Sequence, residues 1–107
     1  MLEKSIEQKL REGIKKRIPH AECLKLVTPG FTGIPDRMIL IPGGTVIFVE
    51  LKRPGKKERC RQTFVQDWLR RIGFMVFSTV DSVEKVERII SYCARRCPHY
   101  MMEGEEL

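Results

Sequence analysis

The N-terminal part of the chain has apolar residues spaced four apart among charged ones. This spacing predicts a helix over residues 2–18, with one apolar stripe that drifts slowly around the helix axis. The stripe consists of Leu2, Ile6, Leu10, Ile14 and Ile18. Pro19 follows directly and is expected to end the helix, because proline lacks the amide hydrogen that a helix interior needs.

Three shorter apolar segments follow, with the composition and alternation of strands. Residues 22–27, 36–41 and 45–52 each predict one strand. Residues 28–35 are rich in turn-forming residues, and the Pro-Gly-Gly sequence at residues 42–44 joins the second strand to the third. The second and third strands are therefore expected to form a hairpin.

The second half of the chain alternates helix and strand. Residues 58–72 predict a helix, with Gly73 at the position where a C-terminal glycine is common. Residues 74–80 are strongly apolar and predict a strand, and residues 82–97 predict a last helix that ends at Pro98.

Both later helices have an apolar side. On the second helix this side contains Phe64, Val65, Trp68, Leu69 and Ile72. The last helix is expected to bury Val83, Val86, Ile89, Ile90 and Cys93. Asp81 followed by Glu84 resembles a capping box at the start of this helix, with Asp as the capping residue.

The predicted elements give the order αβββαβα in one domain of 107 residues, with residues 98–107 as a tail. Residues 45–80 form a strand–helix–strand unit, so the fourth strand is expected to lie parallel to the third through a right-handed crossover. The first three strands are expected to be antiparallel. The fold class is therefore α/β, a mixed sheet of about four strands flanked by helices.

The net charge of +6 is unevenly distributed. Residues 52–61 contain six basic residues and one acid, whereas the C-terminal residues are acidic. A basic segment of this kind suggests a polyanionic partner such as nucleic acid, although a solvated basic surface would have the same composition. No segment has the ~18 unbroken apolar residues of a membrane span, and the charged N-terminus does not resemble a secretory signal. An intracellular location is expected.

The four cysteines are expected to be free thiols, as is usual inside cells. Cys93, Cys97 and His99 have a spacing that suggests zinc, but a second pair of ligands at usable spacing is missing. Cys93 and Cys97 also fit the apolar side of the last helix, so burial is the preferred interpretation.

The hairpin carries two acids at its outer end. If its turn centres on Gly43, paired residue numbers sum to 86, and Asp36 stands opposite Glu50. Opposed residues project to the same face with Cβ atoms ~4.5–5.5 Å apart, and alternation places Lys52 on that face too. A slip of one residue would make the pairing diagonal. The three side chains predict either an ion cluster or a site for a divalent cation, which binds carboxylate oxygens.

The acids and the lysine also resemble a known motif. The Pro-Asp at residues 35–36 precedes Glu50-Leu51-Lys52 by fourteen residues, as in the PD-(D/E)XK nuclease motif. The surrounding sequence, LKLVTPGFTGIPDRMILIPGGTVIFVELKRPGK and LRRIGFMVFSTVDSVEKV, is similar to the VRR-NUC family in the small standalone form common in phages. The resemblance covers nearly all of residues 3–90 and implies a restriction-endonuclease-like core.

The resemblance implies an Mg²⁺- or Mn²⁺-dependent nuclease. Its metal ligands would be Asp36, Glu50 and the backbone carbonyl of Leu51, and Lys52 would be the catalytic lysine. The family also has a glutamate on the first helix. Glu7 is preferred for this role, chiefly on the resemblance, although Glu3 borders the same apolar stripe.

The family further has a glutamine after the motif, and two glutamines are available. Gln62 is preferred as a catalytic residue, because it lies beside the edge of the apolar stripe of the second helix and its eleven-residue spacing to Gly73 matches the family. Gln66 is expected to point further toward solvent. Five basic residues after the motif are candidate contacts to the nucleic-acid backbone: Arg53, Lys56, Lys57, Arg59 and Arg61.

No base-reading motif is present, so recognition of DNA shape is expected rather than recognition of sequence. Standalone family members resemble archaeal Holliday-junction resolvases in organisation. This implies a homodimeric, structure-selective endodeoxyribonuclease that acts on branched DNA in a bacterial or phage-infected cytoplasm. The alternatives are a nuclease of the same fold that cuts flap, nicked or single-stranded DNA, and a catalytically silent DNA-binding module.

Overall fold

A computed structural model describes residues 3–52 and 59–102. The elements in chain order are α1 (Glu3–Arg17), β1 (Glu22–Lys25), β2 (Arg37–Ile41), β3 (Thr45–Leu51), α2 (Cys60–Arg71), β4 (Met75–Val80), α3 (Val83–Arg96) and α4 (His99–Met102). The predicted order αβββαβα is confirmed, and α4 is an additional short helix. Within the described ranges, no helix has the length and apolar character needed to cross a membrane.

The four strands form one mixed sheet in the order β1-β2-β3-β4. β1 and β3 each pair with β2 in antiparallel orientation, and β4 is parallel to β3. In the hairpin, Arg37 pairs with Val49 and Ile41 with Thr45, so the predicted sum of 86 is confirmed. The turn places Gly43 and Gly44 at φ values of 97° and 87°, which glycine adopts without steric cost.

The larger core lies on one face of the sheet, beneath α1 and α3. Four residues of the predicted α1 stripe, Ile6, Leu10, Ile14 and Ile18, are fully buried there. They pack with inward-facing strand residues such as Ile39, Ile47 and Val49 and with α3. Burying each such side chain stabilises the fold by about 1.5–3 kcal/mol, so this face supplies most of the apolar stabilisation.

α2 covers the opposite face with a much smaller core of Phe48, Val65, Leu69 and Val76. The sequence predicted an apolar side of α2 that also includes Phe64, Trp68 and Ile72, but these three side chains are exposed. Among the described residues, α2 is the one helix on this face. Its contact with the sheet therefore buries a narrow strip of α2 and leaves the flank exposed.

Two further expectations about the last helix are corrected. The capping residue of α3 is Ser82, whose hydroxyl accepts a hydrogen bond from the Lys85 amide, while Asp81 forms an ion pair with the Lys85 side chain. Residues 98–102 were predicted to belong to a tail, but they include α4, which packs Met101 into the larger core. Residues 103–107 lie outside the described residues.

The cysteines near this end belong to the core. Cys93 and Cys97 are buried, and burial raises the pKa of the Cys93 thiol to about 12. A raised pKa disfavours the thiolate that zinc binding requires. These side chains therefore act as small apolar core residues.

Candidate active site

The candidate site lies at one end of the sheet, on the face covered by α2. Asp36 directly precedes β2, and its carbonyl accepts a hydrogen bond from the Leu26 amide, which extends the β1–β2 pairing to this residue. Since Arg37 pairs with Val49, Asp36 stands across the ladder from Glu50. The Asp36 carboxylate accepts a hydrogen bond from the Leu51 amide at 3.1 Å, which holds it against β3.

Glu50 is buried, with 2% of its surface exposed. One carboxylate oxygen, Oε2, lies 3.4 Å from Lys52 Nζ and accepts a hydrogen bond from Gln62 Nε2 at 3.3 Å. The other oxygen, Oε1, is buried without a hydrogen-bond partner among the described residues. An unpartnered carboxylate oxygen in a buried position is costly, and it indicates that the site is built for a further ligand.

The protonation of Glu50 reflects this environment. The pKa of the Glu50 carboxyl is raised to about 7, mainly by burial and next by the negative charge of Asp36, while the Lys52 ammonium opposes both effects. Two neighbouring carboxylates of which one is buried repel each other, and a divalent cation bound to both oxygens would relieve this repulsion. The donor set therefore fits a hard divalent cation.

Gln62 links the lysine, the acid and the start of α2. Its side-chain oxygen accepts hydrogen bonds from Lys52 Nζ at 2.9 Å and from the Arg59 amide at 3.0 Å, and its amide nitrogen donates to Glu50. The bond to Arg59 satisfies an amide at the helix N-terminus, as glutamine does in a capping box. One side chain thus fixes both the helix start and the position of Lys52.

One of the two glutamines has a different position from that expected. Gln66, predicted to point toward solvent, has 1% of its surface exposed, and its Nε2 has no partner among the described residues. It follows Gln62 by one helical turn, on the same side of α2 as Val65 and Leu69. Helical periodicity alone did not reveal this burial because it does not show where the sheet lies.

Glu7 has different neighbours from the other predicted ligands. Its carboxylate lies 3.3 Å from Arg37 and 3.1 Å from Arg11. In the described part of the chain, no group of three or more histidine, cysteine or acidic side chains is placed to hold a metal ion. The structure therefore brings together Asp36, Glu50, Lys52 and Gln62. The Glu7 carboxylate instead forms ion pairs with Arg11 and Arg37.

A β-bulge beside the site was not predicted from the sequence. Val49 pairs with Phe77 and Leu51 with Val80, so β4 has one extra residue opposite Glu50. Thr79 in this bulge has a φ of 54°, and its carbonyl accepts a hydrogen bond from Lys85 Nζ at 2.9 Å. Bulges beside active sites re-aim side chains. No glycine or proline signals this bulge in the sequence.

Of the predicted phosphate contacts, Arg59 and Arg61 lie in the described part of the chain and are exposed at the start of α2. Arg53, Lys56 and Lys57 lie outside the described residues. The side chain of Arg61 donates from Nε to the Thr32 carbonyl at 3.0 Å. Arg59 and Arg61 both precede Gln62 closely in the chain, so positive charge lies near the acidic pair.

Comparison with solved structures identifies the class of this fold. A solved VRR_NUC domain superposes with a TM-score of 0.74, covering 84% of this chain and 95% of that one, at 26% sequence identity. The chain has the fold of a VRR_NUC domain, a mixed four-stranded sheet flanked by helices. The predicted restriction-endonuclease-like core and the resemblance to the VRR-NUC family are confirmed.

A particular relative was found among curated proteins. The "Putative nuclease p44" of Acyrthosiphon pisum secondary endosymbiont phage 1 is 46% identical over 55 residues. The match covers 51% of this chain and 57% of the relative, so it spans little more than half the length of that protein. No family model matches the sequence.

Proposed function

We propose that the protein is a metal-dependent DNA endonuclease that hydrolyses phosphodiester bonds in branched DNA, such as four-way (Holliday) junctions. The observation that carries this proposal is the convergence of Asp36, Glu50 and Lys52 with Gln62 at one end of the sheet. The fold of a VRR_NUC domain and the phage relative named as a nuclease support the same activity.

Asp36 and Glu50, with the backbone carbonyl of Leu51, would hold an Mg²⁺ or Mn²⁺ ion. A bound ion would activate water and offset negative charge on the scissile phosphate. The buried, unpartnered Oε1 of Glu50 and its repulsion by Asp36 support this assignment. Glu7 remains a proposed ligand on the resemblance alone, and to take part it would have to exchange Arg37 and Arg11 for the ion.

Lys52 is the proposed electrostatic catalyst. Its ammonium group is half-buried between the Gln62 amide oxygen and Glu50, so its direction is fixed before substrate binds. A positioned cation of this kind can donate a hydrogen bond to a phosphate oxygen or to the attacking water, and it stabilises the charge that develops during hydrolysis. Gln62 positions Lys52 and Glu50 relative to each other.

The substrate would be held mainly through its phosphates. Arg59 and Arg61 adjoin the site, and the basic segment continues through Arg53, Lys56 and Lys57 in the sequence. Such contacts depend on backbone shape and charge rather than on base identity. This supports structure-selective cleavage.

The proposed assembly is a homodimer with twofold symmetry. One chain has one such site and cuts one strand at a time. Two opposed incisions at a junction therefore need a second copy related by a twofold axis.

Cleavage of a labelled four-way junction in the presence of Mn²⁺ tests the proposal, with Glu50→Gln as the matched variant. Gln preserves the size of Glu50 and removes its charge. Wild type is expected to cut the junction, and both Glu50→Gln and wild type in EDTA are expected to leave it intact. Equal cleavage by wild type and variant would disprove the assignment of the site.

The alternatives make different predictions in the same assay. A nuclease of the same fold with another substrate would cut flaps, nicked duplexes or single strands in preference to four-way junctions. A catalytically silent module would bind these DNAs with either divalent cation present and cut none of them. The presence of Asp36, Glu50 and Lys52 together at one end of the sheet argues against the silent module.

A further inference from the structure

An exposed aromatic cluster lies beside the candidate site, and we call it the aromatic platform. It consists of Phe31, Arg61, Phe64 and Trp68. Phe64 is 62% exposed, and Phe31 and Trp68 are each 40% exposed. The ring centroids of Phe31 and Trp68 are 5.8 Å apart, and the Arg61 guanidinium lies 5.3 Å from the Phe31 ring and 5.5 Å from the Phe64 ring.

The platform is held in place by the loop between β1 and β2. A turn joins Thr28 to Phe31 through two hydrogen bonds, one from the Phe31 amide and one from the Thr28 hydroxyl. Arg61 fastens this loop to α2 by donating to the Thr32 carbonyl. Gly33, at φ 91°, lies so close to α2 that a Cβ there would be 2.9 Å from the Arg61 carbonyl oxygen. The aromatic rings are therefore exposed on a fixed framework.

The platform and the site lie on the same helix. Arg61 directly precedes Gln62, whose side chain contacts both Lys52 and Glu50. Phe64 follows Gln62 by two residues, a rise of about 3 Å along α2, so a strand with a phosphate at Lys52 would have the platform nearby.

The charge of this surface suits a polyanion. In the part of the chain that the structure describes, no carboxylate lies within ion-pair distance of Arg61, and the one acid of α2, Asp67, is paired with Arg70 at 3.3 Å. Aromatic rings with a cation stacked among them are the surface on which bases of single-stranded nucleic acid stack.

We propose that the aromatic platform binds unpaired bases of the DNA strand that enters the active site. This inference rests on the proposed nuclease function and adds one feature to its branched substrate: bases that are unpaired at the branch point, beside the scissile phosphate, would stack on the platform. A fully paired duplex keeps its bases stacked on one another and contacts the protein through phosphates alone.

A second copy of the chain is the competing occupant, since aromatic residues and arginine are also enriched in protein interfaces. A twofold contact through this face would bring two copies of Arg61 and Arg71 together. No described carboxylate on α2 besides the paired Asp67 is available to neutralise them. The charges therefore favour a nucleic-acid strand.

Trp68 fluorescence gives a direct test, because it is the only tryptophan in the chain. A 15-nucleotide oligothymidylate and a blunt duplex of equal length are titrated into the full chain in EDTA, where no cleavage can occur. We expect the single strand to quench Trp68 fluorescence and the duplex to leave it nearly unchanged.

Variants connect the signal to the platform. Phe64→Ala is expected to weaken single-strand binding roughly tenfold and to change duplex binding less than about twofold. Arg61→Lys keeps the charge but loses the planar stacking group, and it should weaken single-strand binding by a smaller factor. Ile72→Ala is the matched control, because Ile72 is an exposed apolar residue of the same flank outside the platform. It should leave both affinities unchanged.

Two results would overturn the proposal. One is equal quenching by single strand and duplex, or none by either. The other is a wild-type dimer that Phe64→Ala converts to a monomer in sedimentation while single-strand affinity is unchanged, since this would assign the surface to a second copy. Cleavage measured separately with Mn²⁺ distinguishes the two proposals. If the wild-type protein cleaves DNA but its Trp68 fluorescence is not quenched by the single strand, only the platform proposal is refuted. If its fluorescence is quenched but it cleaves no DNA, only the nuclease proposal is refuted.

Discussion

The two faces of the sheet differ in how completely they are covered. The face beneath α1 and α3 is closed, and the α1 residues Ile6, Leu10, Ile14 and Ile18 are fully buried. The face beneath α2 has a small core, a polar group at one end and exposed aromatic rings along one flank. The closed face supplies stability. The open face carries the side chains of the candidate active site, on the side of the sheet that a ligand can approach.

The largest expected difference between the faces is in stability. Ile47→Ala on the closed face should lower the free energy of unfolding by about 4 kcal/mol, because it leaves a cavity in a fully buried position. Ile72→Ala on the open face should change it by less than about 0.5 kcal/mol. Urea denaturation of both variants measures this. Equal losses would show that the open face is covered in solution.

The second prediction concerns pH on the open face. In the folded chain the Glu50 pKa is about 7, above its ordinary value of 4.5, so the folded chain holds this proton more tightly than the unfolded chain. The contribution of Glu50 to stability is therefore full below pH 4.5 and is lost as pH rises through 7, by roughly 3 kcal/mol in total.

Urea denaturation in EDTA at pH 5 and pH 8 checks this for wild type and Glu50→Gln. The variant lacks the titrating group, so its loss of stability between the two pH values should be smaller than that of wild type by about 2.5 kcal/mol. An identical loss in both proteins would contradict the raised pKa of Glu50.

The third prediction concerns catalysis. Lys52→Met preserves much of the apolar stem and removes the ammonium group, so it should lower the cleavage rate about a hundredfold while single-strand binding to the platform is kept. Gel-based rates under single-turnover conditions measure this. Lys9→Met is the control, because Lys9 is exposed on α1, which covers the other face of the sheet. If both variants lose activity equally, Lys52 has no special role.

The smallest expected effect is at Gln62. Gln62→Ala removes the hydrogen bonds that orient Lys52 and Glu50 but leaves both charges, so cleavage should fall about tenfold. Gln62→Glu retains an acceptor for Lys52 and the Arg59 amide and should restore part of the loss. A Gln62→Ala variant with full activity would show that the lysine is positioned by other contacts.

Much of the fold and half of the site were predictable from local patterns. The Pro-Gly-Gly turn fixed the hairpin register, because a turn centred on Gly43 pairs residues whose numbers sum to 86 and places Ile39 opposite Ile47. That register brought Asp36 opposite Glu50 and placed Lys52 beside them. Gln62 followed from the resemblance to the VRR-NUC family and from its place beside the apolar stripe of the second helix, and its contacts with Lys52 and Glu50 agree with the choice.

Other features depended on groups that are distant in sequence. Helical periodicity identifies the apolar side of α2, but it cannot show how much of that side a neighbouring layer covers. The burial expected from periodicity was therefore wrong for Phe64 and Trp68, which are exposed, and for Gln66, which is buried. The pairing of Glu7 with Arg37 and the bulge at Thr79 likewise arise where separate elements meet.

The sequence by itself determined the elements, the strand register and the identity of the acidic pair, because each depends on interactions between residues close in the chain or joined by a short turn. Only the tertiary structure decided that one face of the sheet is closed and the other open. Coverage depends on how many helices pack on each face, and that number results from the path of the whole chain.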